Sequence, residues 1–227
     1  MAYQIYCSDV QKNTVRGVLF DMDGVVLDTE KLYARFWREA AAALGYNMSY
    51  EQALGMRSLS NTAGQAQLES YFGKGVSRAE FRAKRIELMD AYIDVHGVEL
   101  KEGIRELLDH LDSHGIKAAI TTSSPLERVR RYLWPHGLLD RFDCLCSGAD
   151  VAHGKPEPDI YLHGAACLGL KPQECLAIED SPAGVLSAYR AGCMTVMVPD
   201  LDQPDEDTRS RLYALADSLV DVIDLIK

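Results

Sequence analysis

Val18, Leu19 and Phe20 form a short unbroken apolar run that ends abruptly at Asp21. Such a run, without alternation, predicts a strand buried on both faces. Comparable runs recur in the second half: "KAAITT" (117–122), "FDCLCS" (142–147), "CLAIE" (175–179) and "TVMVP" (195–199). Helical periodicity lies between them. Ile104, Leu107, Leu108 and Leu111 share one face of a segment that stops at Gly115. Ser124-Pro125-Leu126-Glu127 reads as a helix start, with a capping serine, proline at the first helical position and a glutamate closing a capping box. Leu126, Val129 and Leu133 then make a stripe that Gly137 ends. Strands alternating with helices predict an α/β, Rossmann-like core, a parallel sheet with helices on both faces.

Residues 28–97 follow another rule. Leu32, Phe36, Ala40 and Leu44 recur at helical spacing before Gly45. Ser49-Tyr50-Glu51-Gln52 and Ser77-Arg78-Ala79-Glu80 are two more capping boxes, the second opening a helix with Phe81, Met89, Tyr92 and Ile93. The expected organisation is therefore a core of 1–27 and 98–227, with a helical-bundle domain, 28–97, inserted after the first strand. Residues 200–207 read as an acidic loop, and a short helix closes the chain near Lys227. The stretch before Val15 stays open between strand, loop and disorder.

Composition narrows the function. A net charge of -10 argues against nucleic acid and anionic membranes as partners, while leaving room for a small phosphorylated metabolite at a locally positive site. No run is long and apolar enough to span a bilayer, and the N-terminus lacks a signal-peptide pattern. The six cysteines form no CxxC pair, which reads as buried free thiols in a reducing, cytoplasmic setting. A monomer is the default expectation.

The candidate chemistry sits at strand ends, where parallel α/β sheets bind ligands. Asp21 and Asp23 follow the first strand, Thr122 and Ser123 the "KAAITT" strand, and Glu179 and Asp180 the "CLAIE" strand. Gly154-Lys155-Pro156-Glu157-Pro158-Asp159 forms a stiff turn offering one lysine. Four carboxylates in one crevice call for a counter-charge, and Mg2+, a hard cation that takes oxygen ligands, answers it. Asp21 is then free to attack phosphorus, and Asp23 can protonate the leaving oxygen and later deprotonate water. Lys155 and Thr122 supply donors to phosphate oxygens. Ser124 is better explained as a helix cap, His153 as a solvated loop residue, and Asp159 as a brace for the lysine turn or a cap for its helix.

"FDMDGVVLDTE", "AITTSS", "GKPEPDIY" and "AIEDSPAGV", in this order, resemble the haloacid dehalogenase superfamily, in its branch of helical-cap phosphatases and β-phosphoglucomutase-like enzymes. The resemblance covers all but about the first fifteen residues. It implies Asp21 as nucleophile, Asp23 as acid/base, and Thr122 and Lys155 as phosphate ligands. It also implies Mg2+ held by Asp21, the Asp23 backbone carbonyl and Asp180, with Glu179 assisting, and residues 28–97 as a cap that reads the leaving group.

Thr29, Tyr33, Arg57 and Ser123 are the candidate substrate contacts, with an exposed surface position the alternative for Arg57. In β-phosphoglucomutases a histidine typically stands where this chain has Tyr33, and their phosphate-binding arginine aligns nearer Ser58. Both departures favour a phosphatase of sugar phosphates, acting through an aspartyl phosphate, over the alternative, a β-phosphoglucomutase-type phosphomutase. A phospho-receiver domain would carry its aspartate on a later strand and lack the final acidic pair. A non-catalytic scaffold would be expected to lose an acidic group, and a dehalogenase relative would not need Asp23.

Overall fold

A computed structural model describes residues 3–6, 15–57, 59 and 61–226. The chain divides into two compact units, Met1–Leu27 with Leu100–Lys227, and Asp28–Glu99.

The first unit is a mostly parallel seven-stranded sheet flanked by helices. Its strands are β1 (Tyr3–Ile5), β2 (Gly17–Phe20), β3 (Lys117–Thr122), β4 (Cys144–Ser147), β5 (Cys175–Glu179), β6 (Met194–Met197) and β7 (Ala214–Ala216), in the order β1-β7-β6-β5-β2-β3-β4. Every neighbouring pair is parallel except β1 with β7. The chain leaves β2 towards β3 and β4, then returns to β5 on the other side of β2. The winding reverses at β2, and sheets of this kind bind ligands beyond the carboxyl ends of the strands at that reversal. β2 and β5 are buried along their whole length, as unbroken apolar runs require. Leu19, Ala119, Ala177, Ile160 and Tyr161 belong to one core cluster that joins the sheet to a covering helix.

Tyr3–Ile5 makes β2, not β1, the strand that precedes the helical unit. The three-residue edge strand carries too little pattern to be read from sequence, and residues 7–14 lie outside the described residues. "FDCLCS" shortens to Cys144–Ser147, and "TVMVP" begins one residue early, at Met194.

The second unit contains α1 (Glu30–Ala43), α2 (Tyr50–Leu54), α3 (Asn61–Phe72) and α4 (Arg78–His96). Its core gathers Trp37, Ala41, Met48, Ala53, Met56, Leu68, Val76 and Phe81. The Ser49–Gln52 capping box forms in both directions, and the Ser77 side chain accepts the Glu80 N–H. Lys31 pairs with Asp28 at 2.5 Å and with Glu99 at 2.9 Å, drawing together the unit's two ends.

The sheet unit continues through α5 (Ile104–His114), α6 (Leu126–Leu133), α7 (Asp159–Cys167), α8 (Pro182–Ala191), α9 (Glu206–Arg209) and α10 (Leu219–Ile223). Two expectations fail here. Ser124 does not cap α6: Pro125 takes the N-cap position without a side-chain bond, because the Ser124 hydroxyl donates to Asp23 instead. Nor are the cysteines all free. Cys144 on β4 and Cys167 at the end of α7 form a disulfide, whereas Cys146, Cys175 and Cys193 are free and buried. The pairing depends on α7 packing against β4 across 23 residues of sequence, which no local spacing signals. Cys7 lies outside the described residues.

Candidate active site

Strand register builds the site. Phe20 is level with Ile178 on β5 and Ile120 on β3, so the next residue of each strand reaches the same height. Asp21 therefore emerges beside Glu179. Its N–H donates to the Ile178 carbonyl at 3.0 Å, and the Thr121 hydroxyl donates to the Phe20 carbonyl at 3.2 Å. Beyond Asp21 the chain folds back on itself: Gly24, at φ 87°, donates its N–H to the Leu27 carbonyl at 2.8 Å. That left-handed turn suits glycine, and it buries Met22, Val25, Val26 and Leu27.

Lys155 is the hub. Its Nζ donates to Asp21 Oδ1 at 2.5 Å and to Glu179 Oε1 at 2.6 Å, with only 10% of the side chain exposed. It is thus a buried charge, and its partners are the carboxylates the sequence assembles. Burial opposes the ammonium, but Asp21 and Glu179 outweigh it and hold Lys155 well above the ordinary lysine range. One lysine cannot neutralise two carboxylates. Burial first, then Glu179 and Asp23, push Asp21 up to about 8 against the pull of Lys155.

Glu179 is held from several sides. Oε1 also accepts the Tyr161 hydroxyl, and Oε2 accepts from Ser181 Oγ at 3.4 Å. A Cβ on Gly184 would lie 1.9 Å from the Glu179 carboxyl carbon, so the glycine leaves the space that the carboxylate fills.

The other candidates divide. Asp23 accepts from Ser124 Oγ at 3.0 Å, and Thr122 Oγ1 accepts the Ser124 N–H at 3.0 Å, which ties the ends of β2 and β3 together through one serine. Ser123 is exposed at the end of β3. His153 is exposed and contacts Asp159 at 3.0 Å; Asp159 also accepts the His153 N–H, bracing the lysine turn. Thr29, Tyr33 and Arg57 lie in the helical unit. Thr29 is buried without capping α1 through its side chain. The Arg85 guanidinium stands over the Tyr33 ring at 4.6 Å. Arg57, with 8% of its side chain exposed, pairs with Glu30 at 3.2 Å, so it is not a surface arginine. Ser58 lies outside the described residues. A groove of about 480 Å³ in the helical unit, lined by Asn61, Gln65, Arg78 and Arg82 among others, involves none of the strand-end carboxylates.

Asp21, Glu179 and Asp180 are buried, and each offers a carboxylate oxygen within 4.8 Å of the others. That donor set, all hard oxygen and with three carboxylates against one lysine, fits a divalent cation such as Mg2+. Two residues carry more of the site than their sequence suggests. Tyr161 is fully buried in the first turn of α7, and Ser124 bonds Asp23. The signal for Tyr161 is a phenol in an apolar stretch, which needs a partner for its hydroxyl.

A doubly wound sheet with acidic groups and a lysine at its reversal point places the chain among α/β proteins with a ligand site at their strand ends. The family model described as haloacid dehalogenase-like hydrolase matches residues 18–198, and the chain belongs to that family, in its phosphatase and β-phosphoglucomutase-like branch. The protein is a hydrolase of phosphate esters. It is 36% identical over 189 residues to hexitol phosphatase A of Escherichia coli, covering 81% of this chain and 82% of that one. Its fold matches CbbY from Rhodobacter sphaeroides, crystallised in complex with phosphate, at a TM-score of 0.75 and 25% identity, over 92% and 96% of the two chains. β-Phosphoglucomutase from Clostridium difficile shares the fold alone, at a TM-score of 0.74 and 23% identity, over 91% and 92%. Among the described residues, no helix is long and apolar enough to cross a membrane.

Proposed function

We propose that the protein is a Mg2+-dependent phosphatase of small phosphorylated metabolites, most closely sugar phosphates, working through an aspartyl phosphate on Asp21. The observation that carries this reading is the buried cluster of Asp21, Lys155 and Glu179 at the carboxyl end of β2, with Asp180 within ligand range. Asp21, Glu179 and Asp180 would hold the cation with the Asp23 carbonyl, and the cation supplies positive charge to the phosphoryl oxygens.

An Asp21 oxygen attacks phosphorus, and the bond from phosphorus to the ester oxygen breaks. Asp23 gives its proton to that leaving oxygen. Asp23 then takes a proton from water, whose oxygen attacks phosphorus, and the bond to Asp21 breaks to release phosphate. Lys155 and Thr122 bind the remaining phosphoryl oxygens, and Ser124 aims Asp23.

Sugar phosphates are favoured because the relatives include hexitol phosphatase A. We assign the choice of leaving group to the helical unit as a cap, with Thr29, Tyr33 and Arg57 as its candidate contacts and Ser123 as the core's. The departures at Tyr33 and Arg57 from the β-phosphoglucomutase pattern favour water over a second sugar phosphate as acceptor. A cytoplasmic monomer completes the proposal. Phosphorylated metabolites are cytoplasmic compounds, although the Cys144–Cys167 bond removes the cysteine argument for that setting.

Phosphate release from a panel of hexose, hexitol and pentose phosphates, with Mg2+ and with excess chelator, tests this. Release only with metal, and none from Asp21→Asn, is expected. Turnover that persists without metal, or in Asp21→Asn, overturns the mechanism.

A further inference from the structure

We propose that Tyr161 is a positioning residue of this site, fixing Glu179 through its hydroxyl and seating Lys155 on its ring. This deepens the reading of the carboxylate cluster as a cation-assisted phosphatase site and rests on it.

Tyr161 is fully buried, and it touches the site twice. Its hydroxyl donates to Glu179 Oε1, the same oxygen that accepts from Lys155. Its ring face lies 5.1 Å from the Lys155 ammonium, a cation–π distance. Glu179 is hemmed in elsewhere by Gly184, so its carboxylate has little freedom except at this end.

Two consequences follow from the geometry. With Tyr161 sharing the charge on Glu179 Oε1, Lys155 stays bonded to Asp21 as well. Without the hydroxyl, Glu179 draws the ammonium to itself and away from Asp21. The Glu179 carboxylate is also left with Lys155 and Ser181 as its donors, which loosens one side of the acidic cluster. Partners one shell out from a metal commonly alter affinity or activity 10- to 100-fold when removed, roughly the range expected here.

The test is Mn2+ titrated into substrate-free protein and followed by electron paramagnetic resonance, alongside kcat and KM on a sugar phosphate. Tyr161→Phe should weaken Mn2+ about tenfold or more and lower kcat, with KM changing less. In a Glu179→Gln background the same substitution should change Mn2+ affinity less than about threefold, because the coupled partner is gone. Additive losses in the two backgrounds, or unchanged affinity in Tyr161→Phe, overturn the proposal. Wild-type protein that neither binds Mn2+ nor releases phosphate overturns the phosphatase reading instead. Should Tyr161→Phe fail to fold, wild-type protein carries the test. The buried Tyr161 hydroxyl proton should shift in the NMR spectrum as Mg2+ is added, and a resonance that does not move overturns the claim.

Discussion

Asp21 is surrounded by more negative charge than Lys155 neutralises, and this has a thermodynamic consequence. Its carboxyl is raised from 3.8 to about 8 by burial and then by Glu179 and Asp23. Between those values the metal-free folded chain holds a proton that the unfolded chain has released. The stability from this group is therefore fully present below about pH 4 and is lost as pH rises through 8. Urea unfolding of metal-free protein should show a midpoint that falls from pH 5 to pH 8. Asp21→Asn, which cannot ionise, should flatten that slope and lower turnover by on the order of 10⁴-fold or more. Saturating Mg2+ should flatten it in wild type, since the cation replaces the proton as counter-charge. An equal slope in Asp21→Asn and wild type would place the titration elsewhere.

At the scale of elements, the fit of α8 against β5 decides whether Glu179 can stay where it is. Gly184 stands one turn into α8, where Ser181 caps it by accepting the Gly184 N–H. A methyl group there would meet both Glu179 carboxylate oxygens at about 2 Å. Gly184→Ala should destabilise the fold by roughly 1–3 kcal/mol through overpacking, and lower turnover further than that loss explains. Thermal unfolding and kcat measured together check this; wild-type values for both would mean that Glu179 moves freely. β3 and β5 show how much of this arrangement the sequence makes legible. Both match their runs residue for residue, because strands buried over nearly all of their length leave a strong signal; the carboxylates follow from strand ends and the lysine from its Gly/Pro turn. β1 at the sheet edge and its neighbour β7, three residues each, leave no such signal. Ser124 has every local mark of a cap, yet it bonds Asp23, 101 residues away. The Cys144–Cys167 pair and the Tyr161–Glu179 bond are likewise products of packing, which periodicity does not encode.

For the molecule as a whole, the question is whether the cation holds the fold together or only serves the site. The chain carries a net charge of -10, and the carboxylate cluster adds buried charge to a sheet unit built on an apolar core. That core reaches the cluster through Tyr161. Leu19, Ala119, Ala177, Ile160 and Ala165 pack below the strand ends, so the sheet has its own source of stability. Trp37, Met48, Leu68 and Phe81 give the helical unit a core of its own. A ligand that binds only the folded state adds about 2.7 kcal/mol at a hundredfold excess over its Kd. For a chain of this size that corresponds to roughly 5–10 °C in Tm. Chelation should therefore abolish phosphate release and lower Tm by about that amount, while the far-UV circular dichroism at 25 °C stays unchanged. Restoring Mg2+ should recover both. Collapse of the secondary structure on chelation would make the cation a structural element, and a Tm indifferent to Mg2+ would mean that Asp21, Glu179 and Asp180 hold no cation.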